Sequence, residues 1–211
     1  MFDLIKRFFR SVGKGLSYIY PFKAYMALIA IKHYLYSGYV NRQFKRAGES
    51  LYIQAPLNLI GGKYITIGAN FNAFARLRLE AYDRHLTNSY TPELIIGDNV
   101  AVNYDCHIAC INKIHIGNNV LLASKVFITD HYHGKIDSSI MRIPPNERSL
   151  FTSGGVFIAD NVWVGENVSI MPNISIGENC IIGANSVVTK SFPANSIIAG
   201  VPAKIIKTLN N

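Results

Sequence analysis

Between Thr129 and Gly134 the chain reads TDHYHG, a cluster that places Asp130, His131 and His133 side by side. An unperturbed imidazole titrates near pH about 6.5, so histidine is suited to taking a proton from an alcohol at neutral pH. Either His131 or His133 could do so, and a pair of solvated loop histidines is the plain alternative. A second signal is Trp163 in DNVWVGENV, a large aromatic in an otherwise aliphatic run. If it points outward it calls for a ligand or a neighbouring subunit. The cysteines carry less. Cys106 and Cys110 flank His107, but four residues of extended chain span roughly 13 Å, too far for a disulfide or a shared small ion. An odd count of three suggests buried, reduced thiols.

The elements that must position these residues are set by a period of six. Aliphatic residues stand at Ile158, Val164, Ile170, Ile176, Ile182 and Val188, each six after the last. A second series (Val156, Val162, Val168, Ile174, Cys180) sits two residues earlier, and Asn occupies 161, 167, 173, 179 and 185. Weaker copies begin at Ile65, Ile95 and Ile114. Six residues are no whole number of helical turns, whereas short strands with alternate residues inward fit the spacing. Asn or Gly then supplies the positive-φ corner. About three hexads close one triangular coil, and stacked coils bury an aliphatic column. The fold class expected is mainly β, a parallel β-helix prism over residues 49–206. The repeat breaks once in this reading, from about Thr129 to Gly155, and an insertion into a regular prism must project as a loop. TDHYHG stands at its root.

Residues 94–206, through DNVWVGENV, IIGANSVVTK and IIAGVPAKIIK, resemble the hexapeptide-repeat acyltransferases. Within that family they are most similar to sugar O-acetyltransferases of lipopolysaccharide and capsule biosynthesis, and more distantly to galactoside and maltose acetyltransferases. The resemblance implies a left-handed β-helix, acetyl-CoA as acyl donor, a homotrimer with active sites between prisms, and direct transfer to a sugar or lipid-linked glycan hydroxyl. It implies a single histidine base at the start of the loop. The preceding Thr129 favours His131 for that part, with His133 as the fallback. It places the pantetheine arm beside Trp163, the oxyanion at the backbone N–H of Glu166, and further donor contacts at Ala184, Thr189 and Lys190. The CoA phosphates fall to Lys204 and Lys207. On the acceptor side it points to Asn103, with Asp105, His107 and Arg78 as further candidates. Asn103 reads equally well as another corner residue. Carbonic anhydrases of the same fold use three histidines, but the spacing of His107, His115, His131 and His133 does not reproduce theirs, so no metal is expected. N-acetylation of an amino sugar or small amine, or a non-catalytic β-helix scaffold, stay open as alternatives.

Charge divides the chain. Residues 1–48 hold nine Lys or Arg against Asp3 alone, which accounts for the whole net charge of +8, while the remainder is neutral. That pattern argues against nucleic-acid binding, which would spread basic residues over the domain. Phe2, Ile5, Phe8, Phe9 and Val12 recur at helical spacing among Lys6, Arg7 and Arg10, the pattern of a basic amphipathic helix. The apolar stretch Ala24–Ile31 is too short to span a bilayer. The expectation is an arm that lies peripherally on anionic membrane, on the inner face of the cell membrane of an otherwise cytoplasmic protein. Packing against the prism or building the oligomer is the competing role. A chain starting near Glu49 is expected to keep its core, with residues 207–211 as a short tail.

Overall fold

A computed structural model describes residues 2–135 and 137–209. Two helices, α1 (Phe2–Ile19) and α2 (Phe22–Asn41), precede three parallel sheets that form the faces of a triangular prism. Face one begins with Arg46–Ala47 and runs through Ile65–Ile67, Glu93–Ile96, Lys113–Ile116 and Val156–Ile158 to Ile174–Ile176. Face two runs from Tyr52–Ile53 through Ala101–Val102, Leu121–Leu122 and Trp163–Val164 to Ile181–Ile182 and Ser196–Gly200. Face three carries Leu57–Ile60, Leu77–Ala81, His107–Cys110, Phe127–Thr129, Ser169–Ile170 and Val187–Val188. The chain visits the faces in this order once per coil.

The six-residue period gives this shape because each parallel strand is only two to five residues long and every corner must turn. Inward residues such as Ile114, Ile158, Val164, Ile170 and Ile182 stack into a column with essentially no exposure. Burying each aliphatic side chain contributes about 1.5–3 kcal/mol, so the column stabilises the coils more than the short ladders do. At the corner between faces one and two, Asn70, Asn99, Asn119, Asn161, Asn179 and Asn195 all take φ between 55 and 59°. Their amides form a ladder in which each Nδ2 donates to the next Oδ1, at 2.9, 3.0, 3.1, 3.2 and 2.9 Å. Asn is therefore chosen twice, for its tolerance of the left-handed region and for its amide. At Gly165, between faces two and three, a Cβ would lie 2.6 Å from the backbone nitrogen of Ala184 on the next coil. Only glycine lets those coils approach.

Three features depart from the sequence reading. The loop after Thr129 is not the only interruption. Residues 82–92 also leave the prism, with the antiparallel pair Arg84–His85 and Asn88–Ser89 at their tip. Both insertions exit at the corner between faces three and one. The prism also extends past the expected boundaries. Arg46–Ala47 already pairs with Ile65–Ile67, and Ala203–Thr208 adds an antiparallel strand beside Ser196–Gly200, taking in Lys207 and Thr208 of the expected tail. Asn210 and Asn211 lie outside the described residues. Finally, α2 is part of the core. Val40, and Phe44 just beyond the helix end, join the hydrophobic cluster, and the buried Ser37 hydroxyl accepts from the Ile53 N–H at 2.8 Å. A chain starting at Glu49 would lose these contacts, so the expectation of an intact core for it does not stand.

Candidate active site

The outward residues of face three form two files. Arg78, His107 and Phe127 stand in register on successive coils, as do Glu80, Ala109 and Thr129. Alternation points all six away from the core, yet Glu80 is only 2% exposed, because the insertions fold over this face. Between the files and the insertions lies a cavity of about 270 Å³ lined by these residues with Tyr82, His85, His131, His133 and Leu150.

Asp130 is fully buried at the loop root. Its Oδ1 accepts from the Ile111 N–H at 2.9 Å and its Oδ2 from the Asn112 N–H at 2.8 Å, and the Cys110 thiol lies 3.3 Å from Oδ2. His131 Nδ1 sits 3.0 Å from Oδ1. Burial alone would raise the Asp130 pKa, but the hydrogen bonds from His131, Ile111 and Asn112 outweigh it and hold the carboxyl below its usual range. An ionised carboxylate only accepts, so His131 Nδ1 carries the hydrogen and its Nε2 is left with a free lone pair. The Thr129 hydroxyl, 3.3 Å from the His131 N–H and from Nδ1, steadies the turn. The rings of Tyr82 and His131 meet edge to face, with centroids 6.4 Å apart.

A second network forms the floor. Glu80 accepts from Arg78 Nε at 3.0 Å, Arg78 Nη2 at 3.2 Å and the Tyr82 hydroxyl at 2.7 Å, and His107 Nε2 lies 2.9 Å away. Burial pushes against ionisation of Glu80, but Tyr82, His107 and Arg78 together keep its pKa lowered. Burial raises Tyr82 to about 12, helped by Glu80, so the phenol stays a donor. Burial also lowers His107, despite the opposing pull of Glu80. The cysteines are inert: all three are buried, and burial pushes the Cys106 thiol up to about 11.

The structure thus brings together His131, His133, His107 and Arg78. Asn103 and Asp105 lie outside the cavity. Asp105, not Asn103, is the left-handed corner residue there, with φ 61°, and its carboxylate is held by Arg76 in a bidentate pair. Trp163 is half exposed on face two, in the same outward file as Leu121. Glu166 and Ala184 are exposed at the corner between faces two and three, and Lys204 and Lys207 on the antiparallel edge strand. Thr189 and Lys190 follow Val187–Val188, two coils along from Thr129. Within one chain none of the residues expected on the donor side lines the His131 cavity. Among the described residues, no three His, Cys, Asp or Glu side chains come together to hold a metal ion.

Glu80, Tyr82 and His85 are site residues that the sequence reading passed over. Glu80 looks like an exposed strand residue until the insertions cover it, and nothing in YDRHLTNSY announces a projecting hairpin. Asp130 was visible beside its histidine, but its contact with the next coil was not.

Residues 155–190 match the family described as bacterial transferase hexapeptide (six repeats). WbbJ of Escherichia coli (strain K12), named provisionally as a lipopolysaccharide biosynthesis O-acetyl transferase, is 44% identical over 163 residues, 75% of this chain and 79% of its own. A solved maltose O-acetyltransferase from Clostridium difficile 630 is 32% identical, with a TM-score of 0.57 over 82% of this chain and 73% of its own. AntD, an N-acyltransferase from Bacillus cereus solved with dTDP and coenzyme A, shares the fold at 21% identity. Its TM-score is 0.65 over 79% of this chain and 85% of its own. The left-handed sense implied by the resemblance is consistent with these neighbours.

Proposed function

The chain belongs to the bacterial hexapeptide-repeat transferases, and from that premise we propose that it moves an acetyl group from acetyl-CoA to a hydroxyl of a cell-surface polysaccharide or its lipid-linked precursor. The names of WbbJ and the maltose enzyme both support O-acetyl transfer to a sugar. The observation that carries the reading is the Asp130–His131 pair on a cavity with a polar floor. A volume of about 270 Å³ lies just under the roughly 300–1,000 Å³ of drug-sized clefts, which suits one sugar ring.

His131 Nε2 takes the proton of the acceptor hydroxyl as its oxygen attacks the thioester carbonyl. Asp130 keeps the opposite nitrogen protonated and stabilises the imidazolium that forms. The backbone N–H of Glu166 receives the developing oxyanion. As the C–S bond breaks, His131 returns the proton to the departing CoA sulfur, and no acyl-enzyme is needed. Acetyl-CoA is a substrate here. Trp163 and Leu121 offer an apolar strip for its pantetheine arm, and Lys204 and Lys207 offer cations for its phosphates. Ala184, Thr189 and Lys190 complete that groove. Because the donor side lies away from His131 within one chain, the complete site pairs the loop of one prism with the donor groove of the next in a closed trimer. The basic arm holds the assembly on anionic lipid, close to a lipid-linked acceptor.

The test is acetyl transfer to methyl glycosides and lipid-linked oligosaccharides, followed as CoA release. His131→Ala should lower kcat about a hundredfold or more with the KM for acetyl-CoA nearly unchanged. If His133→Ala is the crippled variant instead, the base is His133. If both variants keep full activity, the loop is not the catalytic site.

A further inference from the structure

The hairpin over residues 82–92 and the loop over residues 130–155 are latched together. The Asn88 amide donates to the Ser149 hydroxyl, and the Tyr90 hydroxyl donates to the Leu150 carbonyl at 3.1 Å. Across this latch the rings of His85 and His133 meet edge to face, with centroids 5.8 Å apart and planes at 85°. His85 therefore lines the same cavity as His131, from the opposite insertion. Glu80, Asp130 and His131 Nδ1 all have protein partners, but His85 Nε2 is buried without one among the described residues. A buried polar atom left unpaired is uncommon and asks for a missing partner. Imidazole nitrogen can donate or accept, which matches the two-way hydrogen bonding of a sugar hydroxyl.

We propose that His85 is an acceptor-binding residue, whose Nε2 hydrogen-bonds a hydroxyl of the sugar ring adjacent to the one His131 deprotonates. The hairpin exists, on this view, to carry a specificity contact that the prism alone cannot supply. The inference rests on the sugar O-acetyl transfer reading above. A site built to bond a hydroxyl discriminates strongly against an analogue lacking it, because its own polar atom is then left unpaired.

The experiment uses the full chain, acetyl-CoA and a panel of methyl hexosides with their singly deoxygenated analogues. His85→Phe keeps the ring shape and removes both nitrogens. It should raise the acceptor KM tenfold or more, leaving the KM for acetyl-CoA unchanged. For one deoxy analogue, wild type and His85→Phe should perform alike, identifying the hydroxyl that is held. His85→Gln, whose amide nitrogen reaches about as far as Nε2, should recover most of the acceptor affinity. An acceptor KM unchanged in His85→Phe overturns the proposal, as does a His85→Gln variant no better than His85→Phe. Failure of the wild type to acetylate any sugar, with acetyl-CoA still bound, would instead bring down the parent reading and this one with it.

Discussion

Asp130 ties the proposed catalytic histidine to the local structure. Its two oxygens hold the backbone of the adjacent coil through Ile111 and Asn112, and one of them also fixes the tautomer of His131. Asp130→Asn keeps the shape but turns an amide N–H toward a backbone N–H. The variant should lose about 1–3 kcal/mol of stability and at least a hundredfold in kcat, as measured by urea unfolding and by initial rates. Asp130 and Glu80 are both held below the ordinary carboxylate range, so they favour the folded state above pH about 4. That stabilisation is lost as the pH falls through their lowered folded values, because the unfolded chain takes up protons first. The melting temperature of the wild type should therefore fall steeply below pH about 4, and that of Asp130→Asn should fall less. Equal slopes would show that Asp130 does not contribute to acid sensitivity.

The coil corners set the register, and they can be tested separately from the site. Asn161 holds φ 59° and links Asn119 to Asn179. Asn161→Ala loses two ladder bonds and places a Cβ in the left-handed region. It should cost about 2–3 kcal/mol in denaturant unfolding, and Asn161→Gly, which keeps the backbone freedom, about 1 kcal/mol less. Gly165→Ala pushes a methyl toward the main chain of the next coil and should cost about 1–3 kcal/mol. These corners were legible in the sequence because each hexad repeats the same physical demand. The hairpin over residues 82–92 was not, since it obeys no period and is held by contacts to Ser149 and Leu150, about sixty residues away. Candidate residues followed the same division. His131 and His133 were readable from their position at a break in the repeat. Glu80 and His85 became site residues only once two distant insertions closed over face three.

At the scale of the molecule, the arm divides into two unequal parts. No residue of α1 is buried, and Phe2, Leu4, Phe8, Phe9 and Leu16 stand exposed among Lys6, Arg7, Arg10 and Lys14. The far half of α2 packs on the first coil through Val40. No helix among the described residues is long and apolar enough to cross a membrane. If the arm docks on lipid, removing residues 1–20 should abolish co-sedimentation with anionic vesicles while leaving the melting temperature and CoA binding unchanged. High salt should release the full chain, since each cation near such a surface contributes about 1 kcal/mol and screening acts within about 8–10 Å. Binding to neutral and anionic vesicles alike would remove electrostatics from the account. Truncation at Glu49 should instead uncover Val40 and Phe44 contacts and yield aggregated protein.

The asparagine ladder passes both insertions without a break: its rungs span 29 residues across the first and 42 across the second, against 18 in an uninterrupted coil. All of the extra chain leaves from another edge of the prism. The molecule therefore keeps its scaffolding on one edge and its variable parts on another, and a change of length on the second is not transmitted to the first. Such a division lets new hairpins be grafted beside the histidine without refolding the rest, so a lineage could change which sugar it modifies while the frame that presents the acetyl group stays the same.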